Sequence, residues 1–136
     1  MVREARLYFD KESEQGKHIV KHFLMHLPTI FGTLFGDKSW EEKLVFKEVS
    51  ALEGSEWVVF CGFGNSLSLV SDADFAQVIK RMTDAVKQQK KVLMASYNDE
   101  TEVRERCGEW GFGGFSFFEV KEPLDEDKIR KLLGEF

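Results

Sequence analysis

Hydrophobic residues along this chain fall into short runs that alternate with stripes at helical spacing. The short runs are rich in β-branched and aromatic residues, which favours five strands, over residues 5–10, 44–49, 57–61, 92–97 and 115–120. Apolar residues three or four positions apart predict a helix over residues 18–31 and three later helices, capped by Ser71, Asn98 and Asp125. Only a short link joins the second and third strands.

The helix after Ser71 has the strongest pattern. Ser71 and Asp74 approximate a capping box, and the helix buries an apolar face made of Phe75, Val78, Ile79, Met82 and Val86. The same periodicity turns three residues of the next helix inward: Val103, Cys107 and Trp110. In the last strand, alternation puts Phe115 and Phe117 on one face and Phe118 on the other.

Strands that alternate with amphipathic helices are typical of a parallel sheet covered on both faces. The continuous apolar run at residues 57–61 predicts a central strand buried on both sides. Right-handed crossovers then favour a doubly wound, flavodoxin-like α/β fold with five parallel strands, in a single domain over residues 1–136. In such a fold, ligands and chemistry lie at the carboxyl ends of the strands.

Composition narrows the function classes. The 136 residues include 19 Lys and Arg against 24 Asp and Glu, a net charge of −5, whereas a nucleic-acid binder would normally carry a basic stripe. The longest apolar run is far too short to span a membrane, and two cysteines do not form the framework of a disulfide-rich secreted protein. We therefore expect a cytoplasmic domain with no nucleic-acid or membrane partner and no cofactor.

The last third of the chain contains a recognisable series of motifs. A hydrophobic strand ends in Ala95-Ser96, an acidic helix start follows, and after the next strand come Lys121-Glu122-Pro123 and the final helix. This series resembles the second half of a response-regulator receiver domain. In that resemblance, Asp10 followed by Lys11 stands where receivers have an acidic pair, and Cys61 stands at the position of the phosphoacceptor aspartate.

The resemblance implies a degenerate switch site made of four residues: Asp10, Cys61, Ser96 and Lys121. Magnesium prefers carboxylate oxygens, so a cysteine at the acceptor position and a neighbouring lysine disfavour phosphotransfer. The implied protein is a pseudo-receiver, a non-catalytic signalling or adaptor domain that binds a protein partner or forms a homodimer without aspartyl phosphorylation. Its expected binding surface lies within residues 98–136 and includes the aromatic residues Trp110 and Phe112. For Trp110 this is the alternative to the inward position given by helical periodicity: exposure near the entry to the last strand.

A second hypothesis is a small α/β enzyme or ligand-binding protein that uses the strand-end crevice around Cys61, Ser96 and Lys121. Cys61 is then a reactive thiol, although a buried structural cysteine is the more common situation after an apolar run. The loop after it could hold a phosphate through its backbone amides, at Gly62, Gly64, Asn65 and Ser66. It matches no nucleotide-binding motif, and a flexible β-α connection is the favoured interpretation. The sequence offers no complete catalytic triad, and a structural subunit of a larger complex remains a third interpretation.

All three histidines lie at one spacing, His18, His22 and His26. Four-residue steps place them along one side of a helix, where adjacent pairs could chelate a transition metal. The two steps from His18 to His26 cover about two helical turns, too long a stretch for one compact site, and Lys17 and Lys21 repel a cation. A solvated helix flank is the favoured interpretation, and no metal is expected.

Overall fold

A computed structural model describes residues 3–11, 16–21, 44–61, 67–120 and 126–135. In this part of the chain there are five strands, β1 (Arg3–Lys11), β2 (Leu44–Glu48), β3 (Trp57–Cys61), β4 (Lys91–Ser96) and β5 (Ser116–Glu119). Four helices accompany them, α1 (16–21), α2 (Asp72–Lys87), α3 (Glu100–Glu109) and α4 (Glu126–Glu135), together with short 3₁₀ turns at Leu52–Gly54 and Leu67–Leu69.

The strands form one parallel sheet in the order β2-β1-β3-β4-β5. This is the flavodoxin-like strand order, so the predicted doubly wound α/β fold is confirmed. The connection between β2 and β3 crosses β1 through residues 49–56, which include only the first 3₁₀ turn. Backbone amides at both ends of this connection, Val49 and Glu56, donate to the carbonyls of Leu7 and Arg6 at 2.9 Å, which fastens it to β1.

Two hydrophobic cores lie on opposite faces of the sheet. The first core contains Ile19 and Val20 of α1 and Leu132 of α4, and the second contains the apolar faces of α2 and α3. All five residues of β3 are buried, as the continuous apolar run predicts, because helices cover both faces of this central strand. Alternation along β3 sends Val59 and Cys61 into the first core.

Most predicted helix and strand faces agree with the structure. The Ser71 hydroxyl accepts a hydrogen bond from the Asp74 amide at 3.2 Å, so the predicted cap of α2 is confirmed. The alternation predicted for the last strand is also confirmed. Its aromatic residues divide between the cores, with Phe118 in the first and Phe115 and Phe117 in the second.

Three predictions in the helices are wrong. Val86 is 44% exposed, because in the last turn of α2 the apolar stripe continues through Ala85, three residues after Met82. Asp99, not Asn98, caps α3 by accepting from the Glu102 amide at 3.2 Å, which leaves Asn98 to bond elsewhere. Trp110 lies one residue beyond the end of α3 and is exposed rather than inward.

Parts of two predicted helices lie outside the described residues. The helix predicted over residues 18–31 is described only at 16–21, where the chain is helical. The predicted cap of the final helix, Asp125, also lies outside the described residues.

Helices α2 and α3 end in the same type of turn. After α2, the amides of Gln89 and Lys90 donate to the carbonyls of Val86 and Ala85 at 2.9 and 3.0 Å. After α3, the amides of Gly111 and Phe112 make the equivalent bonds, to Gly108 and Cys107, both at 3.0 Å. These are Schellman motifs, in which one residue adopts a left-handed conformation. That residue is Gln89 in the first turn, with φ 63°, and Gly111 in the second, with φ 74°.

We expect Gln89→Gly to raise the free energy of unfolding by about 0.5–1 kcal/mol, since glycine adopts positive φ without steric cost. Gly111→Ala is the matched variant in the opposite direction, because it replaces glycine at the equivalent position of the second turn. It should lower the free energy of unfolding by about 1 kcal/mol. A β-carbon at Gly111 meets no atom within 4 Å, so the loss reports backbone conformation alone. Urea denaturation of both variants measures the effect, and shifts of the same sign would contradict this account.

Candidate functional site

The carboxyl ends of β1, β3 and β4 meet at one edge of the sheet. In the parallel register, Asp10 pairs with Phe60, Cys61 pairs with Ala95, and β4 ends at Ser96. The fold therefore places Asp10, Cys61 and Ser96 on three adjacent strands, as the strand order predicts. The fourth residue of the predicted switch site, Lys121, lies outside the described residues.

Asp10 takes part in an ion pair with α2. The Nε of Arg81 donates to its Oδ2 at 3.0 Å, and the Arg81 guanidinium lies 5.8 Å from the centroid of the Phe60 ring. A cation therefore already occupies one side of the carboxylate. In this structure Asp10 ties β1 to α2.

Cys61 points to the other side of the sheet. Its side chain is 2% exposed and belongs to the first core, while Asp10 meets α2 on the opposite face. The Sγ atom lies 4.0 Å from the carbonyl oxygen of Val59. This burial agrees with the interpretation of Cys61 as a structural cysteine and separates its thiol from the Asp10 carboxylate by the thickness of the sheet.

Cys107 was expected in the core, and it is fully buried in the second one. Burial raises the pKa of its thiol to about 11, although the positive charges of Arg104 and Arg106 oppose the shift. The reactive form of a cysteine is the thiolate, so the burial of Cys107 and its raised pKa both disfavour reaction at this thiol.

The Ser96 side chain is fixed by hydrogen bonds from Asn98. Its hydroxyl is fully buried and accepts from both the backbone amide and the Nδ2 of Asn98, each at 3.1 Å. The Oδ1 of Asn98 in turn accepts from the Leu67 amide at 3.1 Å. Asn98 thus joins the end of β4 to the second 3₁₀ turn. Sequence reasoning missed this role, because the partner lies 31 residues away.

One of the three histidines, His18, contacts this edge of the sheet. Its Nδ1 is hydrogen-bonded to the Tyr97 hydroxyl, and the two rings are stacked with centroids 6.1 Å apart. Partial burial raises the pKa of Tyr97. His22 and His26 lie outside the described residues, and within the described ranges no three His, Cys, Asp or Glu side chains form a group able to hold a metal ion.

The two aromatic residues of the predicted partner surface differ in environment. Trp110 is 44% exposed, with its ring centroid 6.4 Å from that of Phe75. Phe112 is half-buried and stacks on Phe115 at 5.7 Å, so it belongs to the margin of the second core. Of these two residues, Trp110 therefore presents the larger aromatic surface to solvent.

The structure also contains a groove that sequence reasoning did not single out. It lies between residues 67–72 and α3 and has a volume of about 640 Å³, within the range of roughly 300–1,000 Å³ for ligand clefts. Arg106 fixes its walls by donating to the carbonyls of Leu67 and Val70 at 2.5 and 2.6 Å. Four carboxylates line the groove, those of Asp72, Glu102, Glu105 and Glu109.

The predicted ligand loop, Gly62, Gly64, Asn65 and Ser66, lies outside the described residues. Among the described helices, none has the length and apolar character needed to cross a membrane. Comparison with known protein families, with curated proteins and with solved structures finds no match for this chain.

Proposed function

We propose that the protein is a non-catalytic, receiver-like signalling or adaptor domain that acts by binding another protein or a second copy of itself. The flavodoxin-like strand order supports this proposal at the level of the fold. The observation that carries it is the arrangement of the strand-end residues: Arg81 pairs with Asp10, and Cys61 is buried on the opposite face of the sheet.

Aspartyl phosphotransfer needs an acceptor carboxylate and a Mg²⁺ held by oxygen ligands close to it. At this edge of the sheet, the acceptor position carries a buried thiol and the neighbouring carboxylate already binds a guanidinium. The Ser96 hydroxyl, which resembles the switch residue of a receiver, is engaged by Asn98. Each described residue of the degenerate switch site therefore has a structural contact that supports a non-catalytic role.

The test is a backbone amide NMR titration with Mg²⁺, followed by beryllofluoride, which mimics an aspartyl phosphate. We expect no saturable shifts at the amides of Asp10, Cys61 and Ser96 at millimolar Mg²⁺. The same titration of Arg81→Met tests whether the Arg81 guanidinium is what keeps Mg²⁺ from Asp10. This substitution removes the cation from Asp10 while keeping an apolar side chain against Phe60. Saturable shifts clustered at the three amides of the unmodified protein would overturn the proposal.

A further inference from the structure

The groove between residues 67–72 and α3 has an unusual charge arrangement. Glu102, Glu105 and Glu109 are spaced three and four residues apart, so their side chains share one face of α3. Within the described part of the chain, none of these three carboxylates forms an ion pair. Like charges at this spacing repel one another and destabilise a helix.

Arg106, four residues after Glu102 and three before Glu109, offsets part of this repulsion, and the helix dipole favours Glu102 in the first turn of α3. Glu109 lies in the last turn of α3, where the helix dipole disfavours a negative charge. Arg106 lies in the same groove, but its guanidinium is directed to the carbonyls of Leu67 and Val70 and over the Phe75 ring, at 4.5 Å from the centroid. Arg106 also contacts Asp72, at 3.3 Å, and so shares its charge with a fourth carboxylate.

Two exposed apolar residues are immediate sequence neighbours of residues that line the groove. Leu69 is 74% exposed and stands between Ser68 and Val70, both of which line the groove. Trp110 is 44% exposed and directly follows the lining residue Glu109. Exposed aromatic and aliphatic residues beside a groove are typical of protein-binding surfaces.

We propose that this groove binds a basic, amphipathic segment of a partner protein. Lysine or arginine side chains of the segment neutralise the unpaired glutamates of α3, and its apolar side chains cover Leu69 and Trp110. Charge complementarity selects this occupant, because among the described residues four carboxylates line the groove against the single cationic side chain of Arg106. The inference rests on the proposed function, for which it specifies the chemistry of the partner.

The probe is a synthetic peptide of about 18 residues, or five helical turns, made only of leucine and lysine in an amphipathic pattern. A peptide with glutamate in place of lysine is its control. Calorimetry should give a Kd on the order of 10 µM for the basic peptide at low salt and weaker binding as salt is added. Amide shifts should map to α3 and residues 67–72.

Charge reversal separates the groove from the net charge of the protein. The double variant Glu105→Lys/Glu109→Lys should weaken peptide binding by roughly tenfold or more. Asp84→Lys/Glu53→Lys changes the net charge equally at exposed positions outside the groove, and should alter the Kd by less than about twofold. Circular dichroism of both variants establishes that they fold.

The apolar part of the surface has its own matched pair. Trp110→Ala should weaken binding several-fold, whereas Val86→Ala, at a residue with the same 44% exposure on another helix, should not.

Absence of saturable binding, or equal weakening by the two charge-reversal variants, would overturn the inference. So would a dimer in sedimentation equilibrium that Glu105→Lys/Glu109→Lys abolishes, because the occupant would then be a second copy. The Mg²⁺ and beryllofluoride titration reports on different amides, so it distinguishes failure of this inference from failure of the proposed function.

Discussion

Arg106→Met is expected to lower the free energy of unfolding by about 2–3 kcal/mol, because it removes charged hydrogen bonds to two backbone carbonyls at once. The guanidinium holds Leu67 and Val70, contacts Asp72 and stacks on Phe75, while its side chain is only 17% exposed. Methionine keeps the apolar stem, so the loss reports the guanidinium contacts. Urea denaturation, analysed as a two-state transition, measures it.

Arg104→Met is the matched control on the same helix. Arg104 also lies over an aromatic ring, 4.6 Å from the centroid of Phe115, but it donates to a single carbonyl and its side chain is 39% exposed. Its replacement should lower the free energy of unfolding by only about 1 kcal/mol, because solvent compensates a more exposed group. Equal losses for the two variants would contradict a special role for Arg106 in fixing the groove.

The contacts of Arg106 illustrate what the sequence does not reveal. Its carbonyl partners lie 36 and 39 residues earlier in the chain, and no local pattern marks a side chain that binds backbone so far away. The ion pair between Arg81 and Asp10 spans 71 residues in the same way. Such pairs depend on how α2 and α3 pack on the sheet. Hydrophobic periodicity predicts which face of each helix is buried, but not which residues that face contacts.

The fold itself was predictable because its signals are local. Buried strands such as Trp57–Cys61 and the apolar face of α2 follow from periodicity over a few residues, and the alternation of strands and helices leaves few topologies. Boundaries were less reliable. Asn98 and Asp99 both suit a helix cap. In the structure Asp99 accepts from the Glu102 amide, whereas Asn98 accepts from the distant Leu67 amide.

The strand-end site was predictable in position but not in detail. Because the strands are parallel, Asp10, Cys61 and Ser96 lie at the same edge of the sheet, whatever contacts their side chains make. The burial of the Cys61 side chain on the α1 face depends on the helices that cover the sheet, and the pairing of Asp10 depends on Arg81. These two contacts, rather than the residue types alone, favour a non-catalytic site.

Cys61→Asp, which places a carboxylate where the proposed receiver resemblance puts the acceptor, is expected to lower the free energy of unfolding by about 3–5 kcal/mol at neutral pH without creating a Mg²⁺ site. The described neighbours of Cys61 in the first core are apolar, among them Val59, Ala95 and Ile19. A buried carboxylate is strongly destabilising, and it faces away from Asp10. The NMR titration with Mg²⁺ checks the second half of this prediction.

The pH dependence of the free energy of unfolding separates the effect of the introduced charge from the effect of the new side chain's shape. Cys61→Asn, which is uncharged and of similar shape, is the control. Burial raises the pKa of the introduced carboxyl above its unfolded value of about 3.9. The folded state then binds the proton more tightly than the unfolded state, so stability falls as pH rises between the two pKa values, by at most about 1.4 kcal/mol per pH unit. The asparagine variant should lack this slope. A Cys61→Asp protein as stable as Cys61→Asn at pH 7, with saturable Mg²⁺ shifts at Asp10, would mean that the acceptor pocket still accommodates a carboxylate and an ion.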